Sequence, residues 1–170
     1  VCFHDFNLQN KFKINKRIKD INYEDLKKIS VKFNSKIPLL DELLEIDRTK
    51  LHLMIELKPI FSKKNLICLI NKTKGLKNYS LTSFHEQNLI NLFKLNKKLS
   101  LGLIFSSRTK LETFKIKSKK KFIKLLVVEK KFLTYNKMDS LNIPIYYYTA
   151  KYKNIFNKYK NSKNLIFENL

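Results

Sequence analysis

Six short predicted strands, most of them apolar runs, are separated by segments in which apolar residues recur at helical spacing, and this alternation constrains the fold of the chain most strongly. The strands begin at about residues 51, 79, 99, 122, 143 and 164. Short apolar runs between polar residues are typical of buried strands, and one helix between consecutive strands is typical of β-α-β units. The predicted helices lie within residues 62–73, 85–97 and 109–117, around Phe132, Tyr135 and Met138, and around Tyr152, Ile155, Phe156 and Tyr159. The alternation predicts an α/β fold with a parallel sheet, either doubly wound or most of a (β/α)8 barrel.

The segment before the first of these runs is less regular. Residues 1–3 are interpreted as the end of a strand that stops at Asp5, and residues 7–21, which mix lysine with isolated apolar residues, as an exposed arm. Asn22 has the character of a helix N-cap, because acidic residues follow it in the first turn. Pro38 is a favoured first helical residue and precedes a leucine-rich stretch. Two short helices are therefore predicted, one after Asn22 and one from Pro38.

Polar residues follow the predicted strands of the regular part. The carboxyl ends of parallel strands meet at one edge of the sheet, and chemistry in both fold types collects there. Residues 83–86, Ser-Phe-His-Glu, also match a capping box that would open a helix. The polar residues expected at this edge are Glu56, Ser83, Glu129, Thr149 and Glu168.

An E-x-K pattern ends the apolar run of residues 51–58. Strand alternation places Glu56 and Lys58 on one face, with Met54 and His52 behind them. The pair is either a functional site at the mouth of the strand or a strand-end salt bridge, since structural ion pairs are common. His52 lies inside the apolar run and is interpreted as a satisfied core histidine, whereas His85 is interpreted as a solvated residue at a helix start.

The charge of the chain is strongly positive. It has 36 lysines and arginines against 14 acidic residues, a formal net charge of +22. Such a balance favours nucleic acid or anionic lipid surfaces, but the lysines are spread along the whole chain. Arginine, which recognises phosphate and guanine in a bidentate way, occurs only as Arg17, Arg48 and Arg108. Compositional drift explains this pattern better than specific nucleic-acid recognition, and a weak attraction to anionic membrane surfaces stays open.

The length of 170 residues predicts one domain, residues 1–170. No apolar run approaches the roughly 18 to 20 residues that span a bilayer, and the first residues do not resemble a signal peptide. Cys2 and Cys68 have no paired spacing, which indicates a reducing compartment such as the cytoplasm and no metal cluster. Oligomeric state is not indicated.

Several motifs in order resemble the glycerophosphodiester phosphodiesterase family. They are V-x-x-H-D at residues 1–5, I-K-D-I-N-Y-E-D-L-K at 18–27, I-P-L-L-D-E-L-L at 37–44, I-E-L-K at 55–58, S-F at 83–84 and an aromatic-Thr pair at 148–149. The resemblance implies a (β/α)8 TIM barrel that hydrolyses glycerophosphodiesters to glycerol 3-phosphate and an alcohol. By this alignment the chain holds barrel strands three to eight and lacks the first two strands and the last helix.

The resemblance also implies roles for individual residues. Glu56 matches one of three carboxylates that hold a divalent cation, Ca²⁺ or Mg²⁺, and oxygen ligands suit such hard cations. Lys58 matches a lysine that binds substrate phosphate. His4 matches one of two histidines that serve as general acid and base, with Asp5 placed to orient it.

Other parts of the family pattern are not found in these residues. The H-R-G and E-x-D motifs belong before His4, Ala150-Lys151 replace the usual Val-Asn, and the last strand ends in Phe-Glu-Asn in place of Thr-Asp. The expectation is a fragmentary member, active only in its complete chain. The rival interpretation is a non-catalytic remnant or basic binding module for anionic lipid surfaces or nucleic acid.

Overall fold

The structure is a computed structural model that describes residues 1–45 and 51–168. The chain divides into two compact units, residues 1–49 and residues 50–170. Each unit has an apolar core of its own.

In the described part of the first unit, short helices surround a small core. Asn22 caps the main helix as predicted, because its side-chain oxygen accepts a hydrogen bond of 2.9 Å from the backbone N–H of Asp25. The core comprises Leu8, Phe12, Leu26 and Ile37. The helices are α1 (Gln9–Phe12), a 3₁₀ helix (Ile18–Asp20), α2 (Tyr23–Lys32) and α3 (Leu40–Leu44).

Residues 7–21 do not form the exposed arm that the lysine-rich composition predicted. Leu8 and Phe12 are fully buried. Their spacing of four residues puts both side chains on one side of α1. The Phe12 ring lies 6.1 Å from that of Phe3 and 5.5 Å from that of Phe33. The polar residues between these positions, among them Lys11, obscured an amphipathic turn in the sequence.

Two further predictions for this unit are wrong in detail. Residues 1–3 form no strand, and Cys2 is held by a hydrogen bond of 2.8 Å from its N–H to the carbonyl of Pro38. The helix expected from Pro38 begins at Leu40. Glu42 sets this start, because its carboxylate accepts a hydrogen bond of 2.9 Å from the N–H of Leu39.

The second unit is built on a parallel sheet of six strands that pair in the order of the sequence. The predicted α/β class is therefore confirmed, and the sequential order is that of an incomplete (β/α)8 barrel. The strands are β1 (Leu53–Glu56), β2 (Tyr79–Ser83), β3 (Leu101–Phe105), β4 (Leu125–Glu129), β5 (Ile145–Ala150) and β6 (Asn164–Phe167).

Helical segments connect these strands. Ser62 caps α4 as predicted, accepting a hydrogen bond of 3.3 Å from the N–H of Asn65. Among the described residues no helix is long and apolar enough to cross a membrane. The segments are α4 (Lys63–Thr73), α5 (Glu86–Leu95), α6 (Leu111–Ser118), two 3₁₀ helices (Lys130–Thr134 and Asn136–Leu141) and α7 (Lys153–Tyr159).

The helix predicted through Phe132, Tyr135 and Met138 is a pair of 3₁₀ helices. These apolar residues recur every three positions, which matches the three residues per turn of a 3₁₀ helix better than the 3.6 of an α-helix. Phe132 packs against Phe114 of α6, with ring centroids 4.9 Å apart.

The two faces of the sheet have different neighbours. One face packs under helices, with α5 lying on β2 and β3. On the other face Ile104, Leu125 and Val127 form a cluster with partly buried Met54, Tyr146, Tyr148 and Ile166. Strand alternation places Glu56 and Glu129 on this second face, each two residues beyond a member of the cluster.

Candidate active site

The E-x-K pair lies at the carboxyl end of β1. One carboxylate oxygen of Glu56 lies 3.2 Å from the Nζ of Lys58, and their side chains keep 31% and 22% of their exposure. Leu57, between them, is buried, and its N–H donates to the carbonyl of Thr82 at 2.7 Å. The strand geometry therefore continues beyond Glu56 and brings both charged groups to one face, as alternation predicted.

A buried polar network fixes the loop that carries Lys58. The Ser83 hydroxyl donates to the carbonyl of Leu57 at 2.7 Å and accepts from the Asn88 side chain at 3.1 Å. Asn88 also donates to the carbonyl of Pro59 at 2.8 Å and accepts from the N–H of Phe61 at 2.9 Å. Both side chains are fully buried. Sequence reasoning missed Asn88, although a polar residue among the apolar positions of α5 was a signal for it.

This network replaces the predicted capping box of residues 83–86. Ser83 still belongs to β2, and His85 occupies the N-cap position of α5 without a capping hydrogen bond from its side chain. Glu86 does not fold back on the helix start, because its carboxylate accepts from the ammonium groups of Lys117 and Lys120. Burial raises the pKa of Glu86, but the hydrogen bonds and charges of these two lysines outweigh burial and hold the pKa below its usual value.

Aromatic side chains lie beside the charged residues of the sheet edge. The Tyr148 hydroxyl donates to the carbonyl of Phe105 at 2.9 Å, and its ring meets that of Phe84 edge to face at 6.4 Å. Glu129 is the register partner of Tyr148 on the neighbouring strand. Burial raises the pKa of Tyr148 to about 12, with further contributions from the negative charges of Glu129 and Glu56. These residues therefore surround one region of the edge.

The other edge positions differ in their surroundings. Glu168 is exposed and lies 3.4 Å from the Nζ of Lys151. Thr149 lies within β5.

His4 belongs to the first unit and is described with its own neighbours. Its Nδ1 lies 2.7 Å from a carboxylate oxygen of Asp5, whose second oxygen accepts from the side chain of Asn10 at 2.9 Å. The His4 side chain is 89% exposed. Asp5 thus contacts the imidazole in the way that an orienting carboxylate does, and it leaves Nε2 open to solvent.

The remaining two histidines lie elsewhere. His52 precedes β1 and is exposed, with hydrogen bonds of 2.6 Å to Asn78 and 2.8 Å to Ser80. Its ring nitrogens have hydrogen-bond partners, as predicted, but it is not a core residue, because the strand begins one residue after it. His85 is exposed at the start of α5, as predicted.

Comparison with known proteins identifies the family. The model of the glycerophosphoryl diester phosphodiesterase family matches residues 1–160. The chain belongs to this family. A search of curated proteins gave no match.

Solved structures with the same fold are distant in sequence. A phosphodiesterase from Oleispira antarctica, in complex with the product sn-glycerol-3-phosphate, has a TM-score of 0.78 at 16% identity, over 97% of this chain and 73% of that one. A glycerophosphodiester phosphodiesterase from Agrobacterium tumefaciens has a TM-score of 0.71 at 13% identity, over 97% and 76%. A glycerophosphodiester phosphodiesterase from Parabacteroides distasonis has a TM-score of 0.68 at 15% sequence identity, and the match covers 97% of this chain and 72% of that one.

Glycerophosphodiester phosphodiesterases generally depend on a divalent cation. Ca²⁺ takes about six to eight oxygen ligands and Mg²⁺ about six. Glu56 supplies one hard oxygen donor at the sheet edge, and Lys58 beside it suits an anionic substrate. Within residues 1–45 and 51–168 no three or more His, Cys, Asp or Glu side chains converge as metal ligands. These residues fit one side of a cation site but do not complete its coordination.

Proposed function

We propose that Glu56, Lys58 and His4 are site residues of an enzyme that hydrolyses glycerophosphodiesters to glycerol 3-phosphate and an alcohol. The observation that carries this proposal is the Glu56–Lys58 pair at the carboxyl end of β1, where enzymes of this fold place their chemistry. Membership of the family supports the reaction, and the short distance between carboxylate and ammonium supports a shared site.

The two charged residues of β1 have separate roles in this proposal. Glu56 is one oxygen ligand of a divalent cation, either Ca²⁺ or Mg²⁺, which when bound supplies Lewis-acid polarisation of the phosphoryl oxygen. Lys58 binds a non-bridging phosphate oxygen as a point charge and orients the diester. The hydrogen bonds of Ser83 and Asn88 hold the Lys58 loop in place. Within residues 1–45 and 51–168 no further carboxylates converge with Glu56 as metal ligands, so the proposal assigns this part of the chain one ligand of the cation.

His4 moves a proton in this proposal. Its Nε2 either takes a proton from the attacking water or gives one to the leaving alkoxide, and the contact of Nδ1 with Asp5 stabilises the imidazolium that forms. Water adds to phosphorus, and the alcohol leaves with its proton.

The test is a metal titration of Glu56→Gln in the protein expressed from its full reading frame. Removing one negative ligand weakens cation binding, so glycerophosphocholine hydrolysis should fall steeply and recover in part at high Ca²⁺ or Mg²⁺. Glu168→Gln is the matched control, because its carboxylate is exposed and paired with Lys151. An unchanged metal titration in Glu56→Gln would mean that the pair is only a strand-end salt bridge.

A further inference from the structure

The turns that lead into the strands carry a charge pattern that the overall composition did not show. The turns before β2, β3, β4 and β6 lie at the amino edge of the sheet, opposite the edge that carries Glu56. Together they hold ten lysines and no acidic residue, so this edge is strongly positive. The four turns are residues 74–78, 96–100, 119–124 and 160–163.

Most of these ten lysines have no acidic partner in the described part of the chain. Lys120 contacts the carboxylate of Glu86, and Lys163 contacts that of Asp139. The other eight form no ion pair with a described residue, and all eight are exposed. Their charges therefore face solvent.

Seven of the eight lie in three adjacent turns. The N–H of Lys124 donates to the carbonyl of Leu101 at 2.8 Å, and the N–H of Leu81 donates to the carbonyl of Ser100 at 2.9 Å. These hydrogen bonds join the starts of β2, β3 and β4, which pair side by side. The lysines of the three turns thus form one surface, the lysine edge. It comprises Lys74, Lys77, Lys97, Lys98, Lys119, Lys121 and Lys124.

The opposite edge of the sheet has a different charge balance. The loops that follow β1 to β5 hold four cationic residues, and two of them pair with the carboxylates of Glu56 and Glu168. Compositional drift alone would load both edges alike. The asymmetry therefore favours a use for the lysine edge. The four cationic residues are Lys58, Arg108, Lys110 and Lys151.

The chemistry of the lysine edge suits an array of anionic lipid headgroups. Lysine ammonium groups act as point charges, and clusters of them attract leaflets that contain anionic lipids. Nucleic acids are bound in addition through arginine forks and through exposed aromatic rings that stack on bases. The three turns contain no arginine, and their one aromatic residue, Phe122, packs against Phe93 with ring centroids 5.8 Å apart.

We propose that the lysine edge docks this protein on an anionic lipid surface. The inference goes beyond the proposed hydrolysis and does not depend on it. The amino and carboxyl ends of parallel strands lie at opposite edges of the sheet, so a membrane at the lysine edge leaves Glu56 facing water. Diesters that have no acyl chains are dissolved there.

The test is co-sedimentation with vesicles of the protein expressed from its full reading frame. At about 0.1 M salt the protein should bind vesicles of phosphatidylcholine with about 30% phosphatidylserine, but not vesicles of phosphatidylcholine alone. Raising the salt to about 0.5 M should release the protein, because exposed charges are screened.

A variant of the lysine edge tests which surface binds. It combines four substitutions of exposed residues, and it should lower the vesicle partition coefficient by about tenfold or more. Its melting temperature should stay close to that of the wild type, because these side chains form no ion pair with a described residue. The substitutions are Lys97→Gln, Lys98→Gln, Lys119→Gln and Lys121→Gln.

The matched control loses the same charge at the other edge. Its four lysines are exposed and lie where α4, α6 and α7 begin, after the carboxyl ends of strands. The partition coefficient should change by less than about twofold, since these charges point away from the docked membrane. The substitutions are Lys63→Gln, Lys64→Gln, Lys110→Gln and Lys153→Gln.

Three results would overturn the proposal. The first is no binding to phosphatidylserine vesicles at about 0.1 M salt. The second is equal loss of binding in the two variants, which would show that net charge alone attracts the vesicles. The third is tighter binding to labelled duplex DNA than to vesicles, measured by fluorescence anisotropy and lost in the lysine-edge variant, which would assign this surface to nucleic acid.

Discussion

His4 and Asp5 form a hydrogen-bonded pair of side chains in the first unit. General acid or base catalysis contributes a factor of roughly 10² to 10⁴ to a rate. We expect His4→Ala to lower hydrolysis by a factor in this range, in the protein expressed from its full reading frame. The melting temperature should hardly change, because the imidazole is 89% exposed.

Substitution of Asp5, the carboxylate next to His4, provides the comparison with His4→Ala. Asp5→Asn keeps the size of the side chain but removes the charge that stabilises the imidazolium, so it should lower the rate by a smaller factor than His4→Ala does. A melting temperature that falls in His4→Ala while the rate per folded molecule stays constant would make the imidazole structural.

Tyr148 gives a prediction about pH. Its pKa is raised from 10.0 to about 12, mainly by burial and then by Glu129 and Glu56. The folded state therefore keeps the phenol proton where the unfolded state loses it. The resulting stability is present below about pH 10 and is lost as pH rises towards 12. Tyrosinate absorbance should show Tyr148 and Tyr147 among the last phenols to ionise, and Tyr148→Phe should reduce the absorbance change of that last transition without abolishing it.

A second variant separates charge from burial at this position. Glu129→Gln should lower the pKa of Tyr148 but leave that of Tyr147, which burial and Asp139 raise to about 12. Equal displacement of both phenols in Glu129→Gln would contradict the placement of Glu129 beside Tyr148.

Site residues could be predicted from the sequence where alternation alone determines their position. Glu56 and Lys58 are two residues apart on a strand, so their shared face followed from the pattern. Asn88 could not be found in this way, because its partners are backbone groups of a loop that lies 27 and 29 residues away. Such partners become neighbours only when β1 and β2 pair.

Among the elements, the strands followed their sequence pattern more closely than the helices did. The predicted strand of residues 79–83 coincides with β2 (Tyr79–Ser83), because the alternation of Tyr79 and Leu81 with polar residues has the two-residue period of a strand. The capping box failed because strand pairing and two distant lysines compete for Ser83 and Glu86. The local sequence of residues 83–86 does not reveal that groups far away along the chain bind these two side chains.

The hydrogen bonds of Asn88 hold the loop that carries Lys58 in place. Asn88→Ala leaves the N–H of Phe61 and the carbonyl of Pro59 without their partner, and each buried unsatisfied group costs about 1 to 3 kcal/mol. We expect the free energy of unfolding to fall by about 2 to 4 kcal/mol in urea denaturation.

Asn91→Ala on the same helix is the matched control. In the described part of the chain its side chain accepts one hydrogen bond, an exposed one from Gln87, so the change should stay within about 0.5 kcal/mol. Equal effects of the two substitutions would show that Asn88 does not support the loop.

At the scale of the whole molecule, the order in which the strands pair supports the assignment to an incomplete (β/α)8 barrel. Six strands pair in sequential order, and the chain spans 73% of the Oleispira antarctica structure. Periodicity alone left a doubly wound sheet and a barrel open, because both repeat the same β-α-β unit. The ordered motifs of the family decided between them.

The most direct test of the central claim measures sn-glycerol-3-phosphate released from glycerophosphocholine, with and without Ca²⁺ or Mg²⁺. It compares the protein expressed from its full reading frame with residues 1–170 alone. Glu56 is a single carboxylate ligand, so residues 1–170 alone should show near-background release and no tight cation binding by calorimetry. The full protein should show metal-dependent release that Glu56→Gln reduces steeply. Metal-dependent turnover by residues 1–170 alone, or turnover by the full protein that is indifferent to Glu56 and to metal, would contradict the account.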